Sequence, residues 1–162
     1  MKKLLFAIDP GASGATAVAY PDKTEVFPFR SEFEQRDLIL EIVSYCATER
    51  LTPVAVLELV GGFVGIKQPG SAMFNFGRNF GFHLGLLAAF RIRTELVVPS
   101  MWQRGLPKTP KLADKARAKR EHKNELKEIA ARKFPEIKVT LANADALLIL
   151  DFGTANILPK IQ

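Results

Sequence analysis

LLFAIDPGASGATAVAY, residues 4–20, is the stretch that decides the fold. An apolar run, Leu4 to Ile8, ends in Asp9-Pro10-Gly11, and a second apolar stretch, Ala15 to Ala19, follows. The first run has the length and composition of a buried strand, and Pro-Gly punctuates a tight turn. The pattern predicts strand, turn, strand. Asp9 closes the first strand. A carboxylate at the end of a buried strand is costly without a partner. A metal ion is one such partner, and the backbone N–H groups of the turn itself are another.

Working outward, Tyr20-Pro21-Asp22-Lys23 predicts a turn and Thr24 to Phe29 a third strand, completing an antiparallel meander. Glu32 to Glu49 carries Phe33, Leu38, Ile39, Ile42, Val43 and Ala47 at helical spacing, with Ser31 as N-cap. Thr52-Pro53 breaks the chain. Val54 to Glu58 predicts another buried strand that ends in a carboxylate, and its near-continuous apolar run suits a parallel central strand. After the Gly-rich segment Val60 to Gly70, Ser71 caps a predicted helix that runs to Phe90. Gly77, Gly81 and Gly85 recur every four positions along it. Each costs about 1 kcal/mol of helix propensity relative to Ala, so a close neighbour is expected on that stripe. Arg93 to Val98 predicts a fifth strand, closed by Pro99, and Ser100 to Arg104 a short helical start.

Residues 105–123 change character. Lys108, Lys111, Lys115, Arg117, Lys119, Arg120 and Lys123 crowd together with no comparable acidic run. Such a segment suits contacts to phosphates. Lys119 and Lys123 share a helical face, one turn apart. His122 reads as a surface histidine, with proton transfer or a phosphate contact as its functional alternative. His83 reads as packing or surface, and Trp102 as core. Glu121 to Lys133 predicts a helix with Leu126, Ile129 and Ala130 inward. Ala142 to Ile157 predicts the last helix. Asp145 lies in its first turn, where the helix dipole favours an anion.

The composition bounds what these elements can build. At 162 residues the chain is expected to form one domain, 1–162, with a real core. Hydrophobic content of 48% and charged content of 25% are those of a soluble globular protein. Apolar runs fall far below the ~20 residues of a membrane span, so no membrane partner is expected. MKKLLFAI lacks the features of a signal peptide and reads as the first strand. The one cysteine, Cys46, excludes an internal disulfide, fits a reducing cytoplasm, and falls in an apolar helical pattern as a core thiol. Lys plus Arg exceed Asp plus Glu by 23 to 17, and the pI is about 9.6, which permits a polyanionic partner.

Three acids stand out by context: Asp9, Glu58 and Asp145. If the first and fourth strands are parallel neighbours, Asp9 and Glu58 sit at one sheet edge, and the last helix brings Asp145 over it. Three converging carboxylates with no Lys or Arg beside them in sequence repel unless divalent cations sit among them. Hard oxygen ligands fit Mg²⁺, with Mn²⁺ as substitute. Two such ions about 4 Å apart can position water against a phosphodiester and stabilise the leaving oxygen.

In this order of elements the chain resembles the RuvC-type Holliday junction resolvases of the ribonuclease H-like superfamily, particularly the phage and chloroplast branches. The matching segments are AIDPGASGATAV (7–18), VLELVGGFVG (56–65), SAMFNFGRNFGFHLGLLAAF (71–90), VVPSMWQ (97–103) and ADALLIL (144–150). The resemblance implies an α/β ribonuclease H-like fold, a five-stranded mixed sheet with its first three strands antiparallel and helices on both faces. It implies metal-binding catalytic roles for Asp9, Glu58 and Asp145, and a divalent-metal-dependent endonuclease that resolves four-way DNA junctions, leaving 5′-phosphate and 3′-hydroxyl ends. A lysine, Lys119 or Lys123, would assist at the scissile phosphate. Phe63, in a glycine-flanked loop, would wedge between bases, and Lys67 and Gln68 would reach the backbone. Paired symmetric nicks need two sites, hence a C₂ homodimer, with helix 71–90 as its interface.

The sequence departs from the family at one place. A fourth acid or a histidine usually precedes the last carboxylate by three or four residues, where this chain has Ala142 and Leu141. Asn143 is the nearest polar side chain and can ligate through its carbonyl oxygen; Asp151 is two turns away. Two alternatives follow: a broader nuclease on branched or flapped DNA in phage genome processing, or a junction-binding module with weakened catalysis. The location expected is cytoplasmic, that of the bacterial host for a phage protein. Asp-x-Gly-x-x-Gly at a hairpin also opens actin-like ATPases, but this chain has neither the length nor a second phosphate loop for that reading.

Overall fold

The computed structural model describes residues 2–59 and 70–161. Five strands form one mixed sheet: β1 (Lys3–Ile8), β2 (Ala15–Ala19), β3 (Thr24–Pro28), β4 (Thr52–Glu58) and β5 (Arg93–Val97), in the order β3-β2-β1-β4-β5. β1, β2 and β3 pair antiparallel, and β1, β4 and β5 pair parallel. The helices are α1 (Glu32–Thr48), α2 (Gly70–Ala89), α3 (Pro99–Trp102), α4 (Lys115–Lys133) and α5 (Ala144–Asn156).

Strand side chains alternate between the two faces of a sheet, and here both alternating sets are apolar. Leu5, Ala7, Val54 and Val56 pack against α5 and α4 on one face. Leu4, Phe6, Ile8, Ala55 and Leu57 pack against α1 and Leu87 of α2 on the other. The result is a three-layer α/β/α sandwich with β1 and β4 at its centre, as the unbroken apolar runs of those strands require.

Local signals hold at most element ends. Ser31 caps α1, its Oγ accepting from the Glu34 N–H at 3.2 Å. Cys46 is a core residue, and burial pushes its thiol up to about 11. Three expectations are corrected. Pro53 lies inside β4, paired with Leu4. A proline is tolerated there because it stands at the strand's start. α4 begins at Lys115, six residues before the predicted Glu121. The Asp114 side chain caps it by accepting from the Ala116 and Arg117 N–H groups at 2.9 and 3.0 Å, and Lys, Arg and Ala then propagate it. The stripe Gly77, Gly81 and Gly85 has no close neighbour: a methyl group added at any of them meets nothing within 4 Å among the described residues.

Candidate active site

The parallel register of β1 and β4 pairs Ile8 with Leu57. Asp9 and Glu58 are each the next residue, so they leave the sheet side by side at one edge. Asp9 is fixed by its hairpin: its backbone N–H donates to the Ala15 carbonyl at 3.0 Å, and its Oδ1 accepts from the Gly11 N–H at 3.0 Å. Gly14 makes that turn possible. A Cβ there would stand 2.2 Å from the Asp9 carbonyl oxygen and 3.0 Å from its Cγ.

Asp145 arrives from the α5 side. α5 lies close on the sheet because residue 153 is glycine; a Cβ there would stand 2.9 Å from Val56 Cγ2 and 3.0 Å from Leu5 Cδ2. This contact sets the helix so that its first turn carries Asp145 to the edge occupied by Asp9 and Glu58. α4 packs on α5 and contributes Lys123, whose Nζ donates to Asp145 Oδ2 at 3.1 Å. Of the two candidate lysines, Lys123 is the one that joins the acids. Lys119 stands a turn away, exposed.

The electrostatics show three acids sharing one cation. Burial, joined by the charge of Asp145, raises the Asp9 carboxyl above its ordinary value, against the opposing Gly11 N–H and Lys123. Burial pushes Glu58 up to about 7, with Asp9 and Asp145 adding to it. Trp102 opposes that shift, its Nε1 donating to Glu58 Oε1 at 3.0 Å. Burial disfavours the Lys123 ammonium, but the surrounding carboxylates outweigh it and raise its pKa. The three carboxylates thus feel one another's charge, yet no group of three His, Cys, Asp or Glu is close enough to hold an ion among the described residues. The donor set fits a hard divalent cation: all ligands are oxygens, and the negative charge exceeds what Lys123 can neutralise.

Asn143 is buried and committed to its own turn. Its Oδ1 accepts from the Thr140 N–H at 2.7 Å, and its Nδ2 donates to the Lys138 carbonyl at 3.3 Å. Asp151 is bridged to Lys133 at 2.9 Å. Phe63, Lys67 and Gln68 lie outside the described residues. Lys108, Lys111, Lys115, Arg117, Lys119 and Arg120 are exposed along α4 and the segment before it. Arg117 is paired with Glu121 at 2.7 Å; the other five have no carboxylate within 4.0 Å among the described residues.

Sequence reasoning missed two participants. Trp102 is core, as expected, but it is also the hydrogen-bond donor to Glu58, and no local signal joins residues 58 and 102. His122 is half-buried rather than a plain surface histidine. It stands on the stripe of the buried Ala118, Leu126 and Ala130, and its Nδ1 is buried without a partner among the described residues. That fourfold spacing could have placed it. His83 is buried against Phe29 and Phe82, its Nδ1 at 2.7 Å from the Asn79 carbonyl.

No protein-family model matches the sequence, and no curated protein matches it. Solved structures do. RuvC of Thermus thermophilus in complex with a Holliday junction substrate is similar with a TM-score of 0.54 at 16% identity, covering 96% of this chain and 97% of that one. A second Thermus thermophilus RuvC structure gives the same TM-score and identity over 94% of this chain and 95% of that one. The likeness establishes a RuvC-like, ribonuclease H-like fold.

Proposed function

We propose that this chain is a divalent-metal-dependent, structure-selective DNA endonuclease of the RuvC type, nearest the phage and chloroplast branches, that resolves four-way junctions by paired nicks leaving 5′-phosphate and 3′-hydroxyl ends. One observation carries the reading: Asp9, Glu58 and Asp145, from three separate elements, face one sheet edge near enough to feel one another's charge, with Lys123 bonded to Asp145 beside them. The substrate class comes from the junction-bound RuvC neighbour.

In this reading Asp9, Glu58 and Asp145 hold Mg²⁺ or Mn²⁺. When bound, the ions activate water and stabilise the leaving oxygen. Glu58 keeps a proton near neutrality in their absence and gives it up as the cluster is neutralised. Trp102 holds the Glu58 carboxylate through Oε1. Lys123, beside Asp145, meets the charge of the scissile phosphate. Lys108, Lys111, Lys115, Lys119 and Arg120, without carboxylate partners among the described residues, present cations to the DNA backbone, a salt-sensitive contribution to affinity. The chain works as one domain in the cytoplasm.

Two symmetric nicks call for two copies. α2 offers a face for the second: Phe74 is 70% and Leu84 37% exposed, and the bare stripe Gly77, Gly81, Gly85 lies beside them. Facing copies can approach closely along such a stripe.

A labelled immobile four-way junction, a flap and plain duplex, each in Mg²⁺ and then Mn²⁺, test this with Asp9→Asn alongside. Paired symmetric nicks in the junction alone, absent in Asp9→Asn, are expected. Equal cutting of the flap would support the broader branched-DNA nuclease. A junction-binding module is the second reading, motivated by Leu141, Ala142 and the bonded Asn143 carboxamide where a fourth ligand is usual. Tight junction binding with no cutting in either metal would establish it in place of the nuclease.

A further inference from the structure

Between α4 and the segment that precedes it lies a cavity of about 900 Å³ that the reading above does not use. Asp145 and Lys123 line one part of it, so it opens directly beside the acid cluster. Its size falls within the range of roughly 300–1,000 Å³ found for small-molecule sites. Two kinds of wall meet in it. Pro110, Leu112 and Leu126 are apolar; Lys111, Lys115 and Lys119 are cationic and free of carboxylate partners among the described residues. The one carboxylate lining it, Asp145, is already bonded to Lys123.

His122 lines the same cavity, and its Nδ1 is buried with no hydrogen-bond partner among the described residues. A buried polar atom left unpaired is costly and calls for an explanation. A ligand with a polar edge would supply one. A lysine rim alone would take any phosphate, and an apolar wall alone any hydrophobe. Apolar faces, a polar edge and an anionic end occur together in a nucleotide.

We propose that this cavity takes one unstacked nucleotide of the strand that enters the acid cluster. Its base lies against Pro110, Leu112 and Leu126, its edge meets His122, and its phosphate rests on Lys115 and Lys119. Base contact with a side-chain platform stabilises single-stranded nucleic acid in this way. The position of the strand rests on the nuclease reading; the binding of the nucleotide does not.

The test is a titration of the full, metal-free chain, followed by NMR, with 2′-deoxynucleoside 5′-monophosphates, deoxyribose 5-phosphate and inorganic phosphate. The nucleotides are expected to bind about tenfold or more tightly than either base-free probe, with shifts at Leu112, His122 and Leu126. Leu112→Ala, at an exposed position, and His122→Ala should each remove the base-dependent part. Equal affinity for deoxyribose 5-phosphate would reduce the cavity to a phosphate patch and overturn the proposal, as would no binding. A junction carrying an abasic nucleotide beside the cleaved phosphate should be cut about tenfold more slowly by the natural chain and no more slowly still by Leu112→Ala. If no junction is cut at all, the nuclease reading fails while the titration still decides the cavity.

Discussion

α2 and α5 are both apolar, glycine-bearing helices, and they cover opposite faces of one sheet. α5 is buried along most of its length, from Ala144 through Leu150, and at Gly153 it touches Val56 and Leu5 so closely that an added Cβ would force them to shift. α2 buries His83 and Leu87 but leaves Phe74, Phe76 and Leu84 in solvent and its three inner glycines against open space. The same residue type therefore stands in the two helices for different reasons. Gly153 is required by the chain's own packing. Gly77, Gly81 and Gly85 weaken their helix with no return inside the described fold, which is the ground for proposing a second copy there. α5 carries Asp145 toward two other half-buried acids, Asp9 and Glu58, while α2 leaves apolar surface exposed.

The contrast breaks most decisively at Gly153. Gly153→Val forces α5 away from β1 and β4 and is expected to cost about 3 kcal/mol in urea unfolding. A near-neutral result would mean that α5 is not held by that contact. The acid cluster comes next. The Glu58 carboxyl sits at about 7 in the fold against an ordinary 4.5. The folded chain therefore keeps the proton longer than the unfolded one. The Glu58 contribution to stability of the metal-free protein is fully present below pH 4.5 and is lost as pH rises through about 7. Glu58→Gln should thus be about 2 kcal/mol more stable than the natural chain near pH 8, after allowance for its partial exposure, and equal to it near pH 4. Chemical denaturation at the two pH values reads this directly.

Trp102→Phe keeps the aromatic packing and deletes one hydrogen bond. It should cost about 1 kcal/mol of stability. It should also raise the Glu58 pKa further, shifting the acidic limb of the cleavage profile to higher pH, an effect that lost packing alone would not produce. The smallest effect is on α2. Gly81→Ala should raise the stability of the monomer by about 0.5 kcal/mol through helix propensity, while lowering self-association in sedimentation. Destabilisation instead would show a close neighbour at that glycine and remove the contrast between the helices.

Much of the site was legible residue by residue. Asp9 and Glu58 end apolar runs, and Asp145 opens one, so their places at element ends follow from local pattern. The basic run from Lys108 to Lys123 is equally visible; that the helix starts as early as Lys115 is less so, because Pro107 and Pro110 signal a break and only the Asp114 side-chain cap overrides it. Asn143 looked like a spare ligand because sequence shows its chemistry and not its partners; the turn at Thr140 and Lys138 takes both ends of its carboxamide.

The sequence by itself determined the strands, the antiparallel meander, and the places of the three acids at element ends, because alternation, run length and turn residues act over a few neighbours. The tertiary structure alone decided that Lys123 rather than Lys119 meets Asp145, that Trp102 holds Glu58, and that Gly153 rather than the α2 glycines marks the close approach. Those facts depend on where one element lies against another. Such placement is set by side-chain volumes summed over the whole core, which no local pattern contains.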